Sequence, residues 1–355
     1  MSSPLGFTGP DLRGYVLDQR YQLDAIIGSG GSGDVYAAAD RKLRRPVAVK
    51  VIHPEHSRSE EQRRRIRQEG LIGAQLNHPN IAPILDFGED DTHCSERLFY
   101  LVMPRLDGHT LRHALLDGTI PWKTAALWTH QLLRGVAALH AAGALHRDIK
   151  PDNCILARES EGEVVKLLDL GLAKLTRDDL LSRPPRSVMG QIVGSLPYLS
   201  PEQALGEEVD EQSDVYSVGV VLYELLTRRP PFLGSDYEVL VGHVEREPPA
   251  PREVAPLAEI PAALETVVCT ALSKSRRGRF ASAADLDAAL VAVLSAHGVD
   301  VAGTPAFAGC GEAQASLAAW SSFDRTQAEA CAAAAAKLNR AWSPLMLLLE
   351  LLPEG

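Results

Sequence analysis

The spacing of apolar and polar positions changes about a third of the way along the chain. Up to residue 106, short apolar runs rich in β-branched and aromatic residues alternate with turns, which is typical of strands. The predicted strands lie at residues 21–27, 35–39, 47–52 and 98–103. One charged segment, residues 60–76, consists of helix formers with a stripe of small and apolar residues, so it is predicted to be a helix packed on the sheet.

From residue 108 onward the apolar positions follow a helical period, as at Trp128, Leu132 and Val136. A last regular helix is predicted to begin near Ser282, because Asp285 follows three positions later in a capping arrangement. The second part of the chain is therefore predicted to be larger and mainly helical.

Two apolar runs, residues 215–226 and 345–352, are shorter than the ~20 residues that span a bilayer. The first is predicted to be a buried core helix and the second an amphipathic or docking end. Residues 298–355 contain an Ala-rich stretch, which predicts an accessory helix that packs on the helical part or binds a partner. We expect an N-terminal extension, a compact domain in two parts, and an Ala-rich, partly helical extension, at residues 1–20, 21–106, 107–294 and 295–355.

Composition narrows the function classes. The chain has 36 lysines and arginines against 46 aspartates and glutamates, a formal charge of −10, which gives no bulk electrostatic reason to bind nucleic acid or an anionic membrane. Its five cysteines are an odd number without a C-x-x-C pair, which argues against a disulfide framework and a structural zinc site. The first thirty residues lack the features of a signal peptide. We expect a cytoplasmic protein without nucleic-acid or membrane partners, and the oligomeric state stays open.

A glycine-rich segment between the first two predicted strands has the pattern G-x-G-x-x-G-x-V, in which backbone amides of a flexible turn can close over phosphates. It comprises Ile27, Gly28, Ser29, Gly30, Gly31, Ser32, Gly33, Asp34 and Val35. The motif is weak by itself, since glycine-rich hairpins are common as plain turns. A strand rather than a helix follows it, which argues against a dinucleotide-binding fold.

Lys50 ends an apolar stretch shortly downstream, at a spacing where its ammonium group can reach the phosphates of a nucleotide. A desolvated ammonium needs an anionic partner. Glu69 in the charged helix, 19 residues later, is the favoured partner. Glu60 and Glu61 are alternatives at the helix start and are expected to face solvent.

The most specific signal lies in the middle of the chain. It reads His146-Arg147-Asp148-Ile149-Lys150-Pro151-Asp152-Asn153, followed by Asp169-Leu170-Gly171 and later by Ser200-Pro201-Glu202. With the glycine-rich segment, Lys50 and Glu69, these motifs occur in one order, and residues 21–294 resemble a Ser/Thr protein kinase of the eukaryotic-like type familiar from bacteria. The resemblance implies an α+β, protein-kinase-like bilobal fold with a small β-rich N-lobe carrying one helix and a larger, mainly helical C-lobe.

The resemblance implies roles for four polar residues in transfer of the γ-phosphoryl group of ATP to Ser/Thr hydroxyls of proteins. Asp148 is expected to be the catalytic base, and Lys150 to steady the γ-phosphate. Asn153 and Asp169 are expected to supply hard oxygen ligands for Mg²⁺. Asp86-Phe87-Gly88 spells the family's usual metal-binding motif but precedes the catalytic segment, so Asp86 is expected to end a strand in a turn.

The resemblance also implies an adenine pocket. Its residues are Met103 at the back, Pro104 and Leu106 in the hinge, and Val35, Ala48 and Ile155 as apolar walls. Pro104 keeps its carbonyl acceptor but has no amide to donate, so Leu106 is expected to supply the amide.

The segment between Asp169 and Glu202 resembles an activation segment. Ser187 is the leading candidate for a phosphate there, ahead of Ser182 and Thr176, and Arg147 is the cation that such a phosphate could engage. The plain alternative is that Ser187 is a solvated loop serine.

Several residues are expected to be structural. The resemblance implies that Asp214 holds the backbone of the catalytic loop and that Glu202 pairs with a buried Arg279. His140 and His146 are expected to pack or hydrogen-bond, since neither has a second ligand at metal spacing.

Three functions compete at this point. The first is an active protein kinase, and the second is a pseudokinase that binds partners or nucleotide without phosphoryl transfer. None of the discriminating residues, Lys50, Asp148, Asn153 and Asp169, is missing. The third, phosphorylation of a small molecule, is disfavoured by the long segment before Ser200-Pro201-Glu202, which resembles a platform for peptide substrates.

Overall fold

The structure, a computed structural model, describes residues 11–91, 97–160, 162–169 and 196–301. The described chain forms an N-lobe built on an antiparallel sheet and a larger C-lobe built mainly of helices, as predicted. The predicted Ala-rich helix and the apolar run at 345–352 lie outside the described residues.

The N-lobe sheet of the described chain has the strand order β1-β2-β3-β4-β6-β5. The strands are β1 Val16–Leu17, β2 Tyr21–Gly30, β3 Gly33–Asp40, β4 Arg45–Ile52, β5 Asp86–Asp90 and β6 Leu98–Pro104. All four predicted strands are present, and each extends beyond its predicted bounds. Leu12 and Leu17 are buried with the apolar side chains of β2 and β3, so residues before 21 pack onto the same sheet.

The fifth strand was not predicted. Asp86 lies at its start, so the expectation that this residue ends a strand in a turn was wrong. The Asp86 carboxylate accepts hydrogen bonds from the hydroxyl of Tyr21 at 2.5 Å and from the guanidinium of Arg20 at 2.9 Å. Because β5 reads Asp-Phe-Gly-Glu-Asp, charged side chains and a glycine hide the apolar alternation that marks a strand.

The N-lobe helix α1, Glu60–Gln75, matches its prediction closely. Ser59 caps it in a reciprocal arrangement, in which its hydroxyl accepts from the backbone of Gln62 while the Gln62 side chain accepts from the backbone of Ser59. Ile66 on the buried face packs in one cluster with Ile52 and Phe99. These contacts fix the helix beside the strand that carries Lys50.

The C-lobe core surrounds one buried helix. The helices are α2 Leu111–Asp117, α3 Trp122–Ala141, α4 Pro201–Ala204, α5 Glu211–Thr227, α6 Asp236–Glu245, α7 Pro251–Val254, α8 Ala262–Ala271 and α9 Ala283–Ala296. Every residue from Ser213 to Thr227 in α5 is buried, which confirms the prediction for 215–226. Ser282 caps α9 by accepting from the backbone of Asp285, as predicted. Among the helices described, none is both long and apolar enough to cross a membrane.

A second small sheet lies beside the segments in which the sequence predicts the catalytic residues. Its strands are β7 Gly108–Thr110, β8 Cys154–Glu159 and β9 Gly162–Leu167. The 3-10 turn Pro151–Asn153 leads into β8, and Asp169 follows shortly after β9. The sheet touches the N-lobe side through Leu167, whose amide donates to the carbonyl of Asn80 and whose carbonyl accepts from the amide of Ala82, each at 2.9 Å. The predicted catalytic residues therefore lie close to where the lobes meet.

Candidate active site

The glycine-rich segment forms the β2–β3 hairpin. Ser29 lies opposite Asp34 and Gly30 opposite Gly33 in the strand register, which leaves Gly31 and Ser32 as the turn. A Cβ added to Gly33 would come within 2.2 Å of the Val51 carbonyl oxygen of β4. Glycine is thus required at this position because the neighbouring backbone approaches too closely for any side chain.

Lys50 lies on β4 between Val35 of β3 and Leu101 of β6. Its side chain is 6% exposed, and its ammonium Nζ lies 2.8 Å from Oδ2 of Asp169. Burial of a charge requires a partner, and in this structure Asp169 provides one. Glu69, the partner favoured by the sequence, lies in α1, but its side chain lies outside the described part.

Two polar side chains, those of Lys150 and Asn153, contact Asp148. Lys150 Nζ donates to Asp148 Oδ2 at 3.0 Å. Asn153 Nδ2 donates to the backbone oxygen of Asp148 at 2.8 Å and to its Oδ2 at 3.1 Å. The turn Pro151–Asn153 folds the chain back so that residues five positions apart come into contact. The Asp148 carboxylate is thereby oriented and partly exposed, with a cation beside it.

Asp214 holds the backbone just before Asp148, as the resemblance implies. Its Oδ2 accepts from the amide of His146 and its Oδ1 from the amide of Arg147, both at 2.8 Å. His140 Nε2 donates to Oδ2 at 2.8 Å. Burial alone would raise the pKa of the Asp214 carboxyl, but these donors and the nearby histidines outweigh burial and lower the pKa. The carboxylate stays charged and fixes Arg147, whose φ of 63° is in the left-handed region.

His146 connects the segment that carries Asp148 to the strand that leads to Asp169. Its Nδ1 accepts from the Asp148 amide at 3.2 Å, and its Nε2 donates to the Leu168 carbonyl at 2.8 Å. Burial lowers the pKa of His146, in keeping with a neutral ring that has one donor and one acceptor nitrogen. The prediction that His140 and His146 hydrogen-bond is confirmed.

The residues expected around adenine lie in the N-lobe sheet, in the second sheet and in the connection between the lobes. Ala48 of β4 lies directly opposite Met103 of β6, and both are buried. Pro104 ends β6, and Leu106 follows in the connection between the lobes. Ile155 lies in β8, opposite Thr110 of β7. Val35 is partly buried on β3, next to Lys50 in the register.

The chemistry of two oxygen donors fits Mg²⁺. Asn153 uses Nδ2 for both contacts with Asp148, so its Oδ1 is the atom it offers a metal. Asp169 contacts Lys50 through Oδ2, which leaves Oδ1 as a ligand atom. In the described part of the chain, no group of three or more His, Cys, Asp and Glu side chains could hold a metal. Two protein oxygens suit Mg²⁺, because it takes its other ligands from water and substrate phosphates.

Glu202 in α4 is anchored in the C-lobe by an ion pair. Arg279 Nη1 and Nη2 donate to the two carboxylate oxygens of Glu202, each at 2.8 Å, which confirms the implied pair. Gln203 beside it donates from Nε2 to the backbone oxygen of Arg147 at 2.9 Å, a contact that no sequence pattern indicated. The phosphosite candidates Ser187, Ser182 and Thr176 lie outside the described residues.

A second polar cluster was not predicted from the sequence. Arg112 Nη1 of α2 donates to Glu224 Oε1 of α5 at 2.7 Å, and Tyr198 donates to Glu224 Oε2 at 2.6 Å. Arg112 also contacts the hydroxyl of Tyr198 and, at 3.3 Å, the carboxylate of Asp152 in the turn Pro151–Asn153. The members lie 26 to 112 positions apart, so no local spacing could reveal the cluster.

The sequence of the chain is similar to those of known proteins. The family described as protein kinase domain matches residues 21–286. A probable serine/threonine-protein kinase of Streptomyces coelicolor is 39% identical over 286 residues, covering 80% of this chain and 41% of the relative. Serine/threonine-protein kinase PknB of Mycobacterium leprae is 38% identical over 79% of this chain and 44% of its own length. The chain spans less than half the length of these relatives.

Solved structures show the same fold. The crystal structure of the Mycobacterium tuberculosis PknI kinase domain superposes with a TM-score of 0.60 at 25% identity, covering 81% of this chain and 98% of that domain. The match covers both lobes that enclose the candidate site.

Proposed function

This chain belongs to the protein kinase family, in its bacterial serine/threonine branch, and we propose that it transfers the γ-phosphoryl group of ATP to serine and threonine hydroxyls of proteins. One observation carries the proposal. The Lys50–Asp169 ion pair, at 2.8 Å, joins the phosphate-binding strand of the N-lobe to the segment that follows β9 of the C-lobe, next to the catalytic loop. This contact supports the proposal because it joins two of the groups that phosphoryl transfer needs, the lysine proposed to bind phosphate and the aspartate proposed to bind Mg²⁺.

Asp148 is the proposed catalytic base. Its carboxylate accepts the proton of the substrate hydroxyl as the oxygen attacks the γ-phosphorus. Lys150, 3.0 Å from Oδ2, adds positive charge on the side where the transferred group passes. Asn153 fixes the rotation of the same carboxylate through its bond at 3.1 Å. Positioning and charge neutralisation of this kind supply most of the catalysis in a loose phosphoryl-transfer transition state.

The phosphates of ATP are proposed to lie between the hairpin turn and Lys50. Backbone amides of Gly31 and its neighbours cover them from one side, and the Lys50 ammonium group binds from the other. Mg²⁺ at Asn153 and Asp169 would neutralise phosphate charge and orient the γ-phosphoryl group. Met103, Ala48, Val35 and Ile155 are proposed to enclose adenine, with the hinge at Pro104 and Leu106.

Protein hydroxyls are the proposed acceptors. The names of the relatives support serine and threonine, and Lys150 stands where the resembled family carries a lysine in its Ser/Thr members. Ser187 remains the proposed phosphate acceptor within the chain itself. Two free cysteines among the described residues, Cys154 and Cys269, and the need for ATP support a cytoplasmic site of action.

Transfer of radiolabel from γ-labelled ATP with Mg²⁺ tests the proposal, using the whole chain and a generic protein substrate. Wild type should incorporate label, and Lys50→Met and Asp169→Asn should abolish incorporation. Label in all three proteins would overturn the roles of both residues. ATP binding without transfer by wild type would favour the scaffold function instead.

Autophosphorylation is tested separately by comparing wild type with Ser187→Ala. The variant should incorporate less label into itself and show lower activity on the added substrate. Equal activity of the two proteins would reduce Ser187 to a solvated loop serine.

A further inference from the structure

Two histidines just after β4 contact the tip of the glycine-rich hairpin. The Nε2 atom of His56 lies 2.8 Å from the carbonyl oxygen of Gly31, and the backbone amide of His53 donates to the carbonyl of Ser32 at 3.1 Å. A carbonyl only accepts, so Nε2 of His56 carries the proton. Both residues of the turn are therefore bonded to the segment that leads from β4 to α1.

The side chain of His53 binds the hairpin a second time, through Asp34. His53 Nε2 lies 2.9 Å from Asp34 Oδ2, and the Ser29 hydroxyl donates to Asp34 Oδ1 at 2.5 Å. Asp34 is 3% exposed and His53 6%, so the carboxylate depends on these two donors. The bonds cross the hairpin from β2 through β3 to the end of β4, which stiffens it in the plane of the sheet.

Gly31 in this turn borders open space. A Cβ added to Gly31 would meet no atom within 4 Å, and Gly31 is exposed. Glycine loses more conformational freedom on ordering than any other residue, so a free turn of this kind is costly to order around a ligand. Contacts that order the turn beforehand reduce the cost of binding.

We propose that His53 and His56 are positioning residues: together they form a histidine tether that holds the turn Gly31–Ser32 in the shape that receives the phosphates of ATP. This inference rests on the proposed function, because the ligand of the turn is ATP. His56 ends the 3-10 turn Pro54–His56, three residues before the Ser59 cap of α1. The tether therefore also links the hairpin to the start of the helix that carries Glu69.

His56→Ala and His56→Gln form the test pair, with His113→Ala as the matched control. His113 is an exposed histidine of α2, 60% accessible, far along the chain from the hairpin. The alanine variant should raise the KM for ATP about two- to tenfold with kcat within twofold, the change that loss of one hydrogen bond gives. Glutamine should restore KM to within twofold of wild type, because its amide nitrogen can donate to the same carbonyl.

The glutamine variant separates a tether from simple electrostatic attraction. If His56 acted through positive charge on the phosphates, the neutral glutamine would raise the KM for ATP as much as alanine does. That result would refute the tether. An unchanged KM for ATP in His56→Ala would refute it as well, as would an equal rise in KM for the protein substrate.

His53 is tested in the same way with His53→Ala and His53→Gln. Alanine should raise the KM for ATP and lower the melting temperature, because it leaves the buried Asp34 carboxylate short of a donor. Glutamine should recover both. A melting temperature lowered with no change in KM would give His53 a purely structural role and contradict the proposal for this residue.

Calorimetric titration with MgATP keeps the two proposals apart. If wild type transfers phosphate and all histidine variants match it, only the tether fails. If wild type transfers no phosphate, the proposed function fails, and the Kd for MgATP then decides the tether: His56→Ala should bind about two- to tenfold more weakly than wild type, with His56→Gln close to wild type.

Discussion

Replacing Arg279 by leucine is predicted to destabilise the chain by about 3–5 kcal/mol, because the change leaves Glu202 as a buried, unpaired charge. The guanidinium makes two bonds of 2.8 Å to the carboxylate and also donates to the backbone oxygens of Ser273 at 2.7 Å and Lys274 at 2.9 Å. The side chains of the pair are 0% and 3% exposed, so solvent cannot replace the lost partner.

The pKa of Glu202 gives a second magnitude for the contribution of this carboxylate to stability. Burial alone would raise this pKa, but the hydrogen bonds and charge of Arg279, with the hydroxyl of Ser213 at 2.5 Å, lower it from 4.5 to about 2. At about 1.4 kcal/mol per pKa unit, the carboxylate contributes roughly 3 kcal/mol at neutral pH. Because the folded pKa is depressed, this contribution is present above pH 4.5 and is lost as the pH falls towards 2.

Urea unfolding, followed by tryptophan fluorescence at pH 7 and pH 3, measures the effect. At pH 7, Arg279→Leu should lose about 3–5 kcal/mol, or about 6–10 °C in Tm at roughly 2 °C per kcal/mol. At pH 3 wild type has already lost about 2 kcal/mol of this contribution. The difference in free energy of unfolding between wild type and Arg279→Leu should therefore be smaller at pH 3 than at pH 7. A loss below about 1 kcal/mol at pH 7, or a gap that widens on acidification, would refute the reasoning.

Further predictions concern the hairpin, the catalytic loop and the metal. Gly33→Ala should lower Tm by about 2–6 °C and raise the KM for ATP, because the added Cβ would lie 2.2 Å from the Val51 carbonyl oxygen; thermal melts and kinetics check this. Asp214→Asn should cost about 2–4 kcal/mol in urea unfolding and lower kcat at least about tenfold, since one of the amides of His146 and Arg147 loses its acceptor. Removal of Mg²⁺ by EDTA should abolish transfer, and added Mg²⁺ should restore it; activity that persists in EDTA would contradict the two-oxygen metal site.

Local sequence patterns were sufficient to predict most of the fold. Strand and helix periods and the Ser59 and Ser282 caps act within a few residues, so they are visible in the sequence. β5 was missed because Asp86 binds Arg20 and Tyr21, which lie 66 and 65 positions earlier in the chain, a contact that no local period reflects. The short strands β7, β8 and β9 were hidden by the helical period around them.

The same distinction between local patterns and contacts of distant residues applies to the candidate site. Asp148, Lys150 and Asn153 belong to one sequence motif, so the resemblance could single them out together, and the structure adds the contacts among them. The ion pair between Lys50 and Asp169 spans the two lobes, and only the folded chain brings these residues together. The histidine tether was not predicted from any sequence motif, and it depends on the register that lays β3 beside β4.

The most direct test of the central claim compares wild type with Asp148→Asn in two assays, phosphate transfer to a protein substrate and MgATP binding by calorimetry. Asparagine preserves the size of the side chain but cannot accept the proton. The account predicts that kcat falls by about 10²–10⁴-fold while the Kd for MgATP stays within twofold of wild type. Transfer by Asp148→Asn at the wild-type rate, or MgATP binding by wild type with no transfer at all, would contradict it.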